Sequence, residues 1–294
     1  MDSVVVGLRF AAYVDLMLLA GFALGGGLGR HAPAISRRVV AALSAIGAII
    51  TVAQFGATCL AMTGNDMAAL DGEMLAFMAF ETSMGISHVI RATALGLLTV
   101  ISATGRAGRP LVAGLAIVAL GSLAWTGHAG ASEAALGWLH RSSDIVHLLS
   151  GAIWIAALAM FARILLANFS VPGSAERALA ALKRFSSVGT AVVGAIVVTG
   201  AVNLVAIVGI DGIWASVRTD YGRLLVIKLM LLAGMLCLAA GNRWILVPQL
   251  KTSLEAGHHA AALRRLHLAI RTETMLALAL LAVVAVLGTL SPAG

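Results

Sequence analysis

Between Trp125 and Trp154 an otherwise apolar chain gathers four residues able to hold a metal: His128, His140, Asp144 and His147. A helix from Leu139 onward puts His140, Asp144 and His147 at i, i+4 and i+7, on one face. His128 ends the preceding apolar segment, across a short loop. Imidazoles beside a carboxylate are a donor set for a borderline or soft transition metal. The carboxylate either ligates or orients an imidazole from behind. Each histidine alone also fits an interfacial residue bonded to a loop carbonyl; the shared face favours a site. His88, inside the third apolar segment, joins the set only if the third and fifth segments are neighbours.

Sulfur donors form a second group. Met62, Met67, Met74, Met78 and Met84 lie along the connection between the second and third segments, with Cys59 just before it. Thioether and thiol ligands select Cu(I) over zinc or iron, so these residues are candidates for auxiliary copper capture. Methionine is equally an ordinary filler of apolar surface. The third group is polar at membrane depth: Asp15, Arg9, Arg91, Lys228, Gln54 and Asn203. A charge at the centre of a spanning helix costs ~2.5–3.5 kcal/mol, so these side chains should face inward and pair. Asp15 is expected to neutralise one or two of the bases. Such a layer either locks the bundle or lines a gate beneath the histidines.

The elements that carry these groups follow from composition. Of 294 residues, 60% are hydrophobic and 11% charged, and mean hydropathy is +0.99. That is the profile of an all-α, polytopic membrane helix bundle. Eight segments are apolar enough to span: Val4–Leu28, Val39–Thr63, Met84–Thr104, Leu111–Thr126, Ser143–Leu166, Phe185–Val208, Leu224–Gly241 and Thr272–Leu290. The fourth is short. The connection Asn242–Arg271 carries Leu250, Leu254, Leu263, Leu266 and Ile270 at helical spacing and is expected to lie along the membrane surface. Residues 1–294 read as one integral membrane unit, and the first segment as a retained helix, not a signal peptide.

Basic residues set the orientation. The connections after segments one, three, five and seven hold most of the 20 lysines and arginines. The opposite connections hold Arg141, Arg218 and Arg223 and most of the acids. Both termini are therefore expected outside, with the basic connections cytoplasmic. His88, His128, His140 and His147 then fall on the outer side.

Several function classes lack support. The net charge of +7 is divided among loops rather than clustered, which argues against a nucleic-acid partner. The two cysteines form no CxxC. No HExxH, G-x-S-x-G or P-loop occurs, so the reading is non-enzymatic and without an ATPase.

The chain resembles the CopD family of bacterial copper-resistance inner-membrane proteins. The resemblance is carried by T-G-H-A at Thr126–Ala129, the run Leu139–Trp154, R-F-S at Arg184–Ser186, T-G-A-V-N at Thr199–Asn203, T-D-Y-G-R-L-L-V-I-K at Thr219–Lys228 and G-N-R at Gly241–Arg243. It implies copper handling at the inner membrane, namely uptake of periplasmic copper beside a separate CopC-type chaperone. It makes His128, His140, Asp144 and His147 the positions to test.

Three readings compete. The first is a copper importer or permease that accepts the metal, as Cu(I) or Cu(II), at the outer histidines. The second is a haem-binding redox protein, with His88 and either His147 or His128 as axial ligands. The third is a delivery module that hands copper to a partner such as an oxidase without transporting it. Zinc remains a competitor for the same ligands.

Overall fold

The computed structural model of the protein describes residues 3–25, 35–64, 66–105, 108–126, 134–166, 174–209, 212 and 218–291. They form helices α1 (Ser3–Ala23), α2 (Arg37–Met62), α3 (Gly72–Phe80), α4 (Ser83–Thr104), α5 (Arg109–Gly121), α6 (Ala134–Leu166) and α7 (Ser174–Val208). Then come α8 (Asp220–Gly241), α9 (Val247–Glu255) and α10 (Ala260–Leu287). A 3₁₀ turn, Ser122–Trp125, extends α5, and a π-helical turn, Asn242–Leu246, joins α8 to α9 without a break.

Seven helices are long and apolar enough to cross a membrane, and Arg109–Trp125 is an eighth, shorter apolar helix. Each of the eight apolar segments expected from sequence lies on one of them. The outside of the bundle is apolar: Ile49 is 70% exposed, Val52 64% and Val198 63%. Only lipid solvates such a surface well.

Local chemistry sets several helix ends. Ser36, Thr82 and Thr219 each accept a backbone N–H in the first turn of α2, α4 and α8. Pro110 starts α5, and Gly105 ends α4 in the left-handed region at φ 72°.

α1 is the central helix, packed against α2, α5, α6 and α10. Lipid supplies no hydrophobic drive between helices, so close approach depends on small residues. A Cβ at Gly21 would stand 2.1 Å from the Ala152 carbonyl oxygen and 2.5 Å from Ala156 Cβ. Glycine is thus required where α1 crosses α6. One apolar cluster joins Leu16 and Leu19 of α1 to Leu95 and Leu98 of α4, Leu120 of α5 and Ala152 of α6.

The second cluster corrects the expectation for Asn242–Arg271. Leu250, Leu263, Leu266 and Ile270 are buried with Leu158, Phe161 and Leu165 of α6 and Leu182 of α7. This connection does not lie flat on the membrane. α9 and the start of α10 prolong the spanning helices and pack on α7 and on each other. Apolar spacing alone cannot separate burial against lipid from burial against neighbouring helices, and here the neighbours won.

Candidate metal centre

Four elements, α6, α7, α8 and the π turn, bring the family-like motifs together. His147 on α6 lies 3.0 Å from Thr199 Oγ1 on α7 through Nδ1. The Thr199 hydroxyl gives its own proton to the Ala195 carbonyl, so it accepts from the imidazole. Nδ1 then carries the hydrogen and Nε2 keeps its lone pair, the tautomer a metal needs. The ring lies beside Gly200, where a Cβ would stand 3.6 Å from His147 Cε1. Ser143 donates to the Thr199 carbonyl at 3.3 Å, tying the same two helices.

Asp144 accepts from Asn203 Nδ2 at 3.2 Å. Asn203 Oδ1 is buried without a hydrogen-bond partner. Asp144 and His147, three apart on a helix, have Cβ atoms about 5–6 Å apart. Lys228 of α8 acts electrostatically on both. His140 is buried, at 2% exposure, on the same face of α6. His128 lies outside the described residues. Among the described residues no three His, Cys, Asp or Glu side chains form a closed metal-binding group.

His88 is in different surroundings. Its Nδ1 donates to the Met84 carbonyl at 2.9 Å, which again frees Nε2. Phe55 lies beside it, ring centroids 5.9 Å apart. It lines a cavity of about 200 Å³ with Arg9, Tyr13, Gln54, Met84 and Thr126. Arg91, one turn on, donates through Nε to Ser122 at 2.9 Å. Two guanidinium groups beside this imidazole repel a metal cation. α4 packs against α2, α3 and α5, while α6 packs against α7, α1, α10 and α5, so that α5 and its 3₁₀ turn stand between them. The helices of His88 and His147 are thus not packed as neighbours, the condition on which His88 would join the set.

The sulfur donors are spread. Met62 and Met67 are exposed, at 59% and 71%, while Met78 and Cys59 are buried. Met74 is half-buried. Of the five methionines only Met84 lines the His88 cavity.

The polar layer departs from expectation at Asp15. The ion pairs among the described residues are Arg223–Asp220 and Lys251–Glu255, both exposed. Asp15 is buried at 5% exposure, and both carboxyl oxygens lack a hydrogen-bond partner. It rests on α2, where a Cβ at Gly47 would come within 2.4 Å of Oδ2. The bases are held otherwise. Arg91 bonds Ser122 and Thr126, and Arg9 fills the space above Gly288. Gln54 keeps a buried oxygen without a partner.

Sequence reasoning missed Glu273. It is 2% exposed in α10 and accepts from Trp154 Nε1 at 2.8 Å and Asn242 Nδ2 at 3.0 Å. A signal was available: Leu266, Ile270, Glu273, Ala277 and Leu281 are spaced as one helix face, and all are buried. Glu273 and Asn242 line a cavity of about 480 Å³ between α6, α7, α8 and α10.

The fold and this cluster define a polytopic helical membrane protein with a half-buried His–Asp pair braced by a neighbouring helix. The sequence family Copper resistance protein D matches residues 179–287, and its related N-terminal domain matches residues 1–138. A copper resistance protein D of Pseudomonas syringae pv. tomato is 35% identical over 308 residues, covering 99% of this chain and 97% of its own length. Inner membrane protein YebZ of Escherichia coli (strain K12) is 27% identical over 260 residues, covering 84% and 85%. No solved structure matches. The chain belongs to the copper resistance protein D family.

Proposed function

We propose that this protein binds copper as cargo at the histidine end of the bundle and passes it inward across the inner membrane. Family membership supports copper, and the name of the Escherichia coli relative supports the inner membrane. The single observation that carries the site is the His147–Asp144 pair. His147 has its Nε2 lone pair free, Asp144 supplies negative charge, and both are anchored by the T-G-A-V-N segment of α7. Residues distant in sequence that carry the family resemblance thus meet at one metal-competent imidazole.

His128 and His140 are the proposed further ligands. His88 with Met84, and the remaining methionines with Cys59, are weaker auxiliary positions. The histidine end faces the periplasm in this reading, following the basic connections at the other end. A separate CopC-type chaperone is the natural donor.

The test is copper accumulation in cells lacking their own copy of the protein. Wild type raises cytoplasmic copper and His147→Ala does not. Copper held by membranes without cytoplasmic accumulation would favour the delivery module. A Soret band on the purified protein would favour haem.

A further inference from the structure

The same face of α6 that carries His140, Asp144 and His147 continues through Trp154, Leu158 and Phe161. The last three line the 480 Å³ cavity. Seven residues separate His147 from Trp154, a rise of about 10 Å. α7 runs alongside, with Asn203 and Thr199 at the upper level and Val193, Thr190 and Ser186 at the cavity. Two polar stations are therefore stacked in one seam.

The lower station is built from oxygen. Glu273 receives two hydrogen bonds, both from neutral donors, Trp154 and Asn242. Asn242 is 7% exposed and its Oδ1 is buried with no partner. It opens the π turn, a rewinding of the helix frequent at functional sites. A carboxylate beside an open amide oxygen attracts a small hard cation, and no nitrogen lone pair or sulfur is there to select copper. The other charged groups lining the cavity are Lys183 of α7 and Arg243 of the π turn. Arg243 is committed to the Ser186 carbonyl and the Thr190 hydroxyl. α6 and α8 add no titratable side chain to the lining. α9 carries Lys251 and Glu255, paired with each other at the surface. α1, also packed on α10, brings Arg9 to Gly288 and Asp15 to Gly47 instead.

We propose that Glu273 and Asn242 form a second cation station, taking a proton or a sodium ion, whose occupancy is linked to copper at Asp144 and His147. The linkage rests on the copper reading; the cation site itself does not. Taking the roughly 10 Å rise along α6 as their separation, two like charges oppose each other by roughly tenfold in affinity. The effect is reciprocal: copper releases the lower cation, and the cation weakens copper.

Infrared difference spectroscopy on the full-length protein in liposomes tests this. First the copper-free protein is stepped in pH without sodium, then in sodium at fixed pH. A carboxyl band that appears on acidification identifies the proton; a shift of the carboxylate bands with sodium identifies that ion. Either signal is expected to vanish in Glu273→Gln, and the sodium response to weaken about tenfold in Asn242→Ala. Loading copper at fixed conditions should then release the cation in wild type and leave His147→Ala unchanged. Identical spectra for wild type and Glu273→Gln across both series would overturn the station. A Glu273 signal indifferent to bound copper would overturn the linkage. Failure to load copper would count against the copper reading alone, since the cation site is read from copper-free spectra.

Discussion

The two stations on α6 share a plan and differ in one donor. Each has a carboxylate that accepts from an asparagine Nδ2: half-buried Asp144 from Asn203, buried Glu273 from Asn242. Each asparagine leaves its Oδ1 buried and unpartnered. The upper station adds His147, with its tautomer fixed by Thr199; the lower adds Trp154, which only donates. An imidazole lone pair is a donor for copper, whereas the indole N–H only donates and leaves the lower station its carboxylate and amide oxygens, which suit a hard cation. His88 teaches the complement. It has a free Nε2 too, but lies beside Arg9 and Arg91, whereas His147 has both Asp144 and Lys228 near it.

Replacing the distinguishing donor should have the largest effect. His147→Ala is expected to abolish copper binding at the upper station, while Glu273→Gln keeps it, checked by equilibrium copper titration of both proteins. Removing only the brace is smaller. Thr199→Val leaves His147 in place but frees its tautomer, and copper affinity should fall by about 10–100-fold.

Effects on the lower station should appear in stability. Trp154→Phe removes one of two donors to a buried carboxylate and should cost about 1–3 kcal/mol, with copper still bound. Thermal unfolding beside a copper titration separates the two. Asp15→Asn tests a third buried carboxylate that has no donor at all. Taking away an uncompensated charge should leave stability unchanged or raise it. A marked loss would reveal the ion pair expected from sequence. The smallest effect belongs to the surface. Arg223→Ala breaks a pair whose side chains are 70% and 83% exposed, and should change stability by less than about 1 kcal/mol.

Much of this was legible in the sequence. Hydropathy located the seven long apolar helices and the shorter Arg109–Trp125, though not Gly72–Phe80, because lipid leaves a spanning backbone no alternative to helix. The i, i+4, i+7 spacing put His140, Asp144 and His147 on one face. Packing was not legible. Nothing local tells that α6 lies on α7 rather than on α4, so His147 could not be separated from His88 as a ligand. Asp15 looked like a counter-ion because Arg9 and Arg91 were near in depth, yet they turn to Gly288 and to Ser122. Glu273 is the second residue of the segment Thr272–Leu290 and was not singled out there. Its place in the buried stripe of α10 would have revealed it. The π turn that brings Asn242 to Glu273 has no sequence signature of its own.

The most direct measurement is the copper content of purified, copper-loaded and washed protein, wild type beside the Asp144→Asn/His147→Ala double variant. Both are first shown to be folded by their thermal transitions. Copper bound by wild type and lost from the double variant is the expected result. Equal copper in the two folded proteins would contradict the assignment of the upper station.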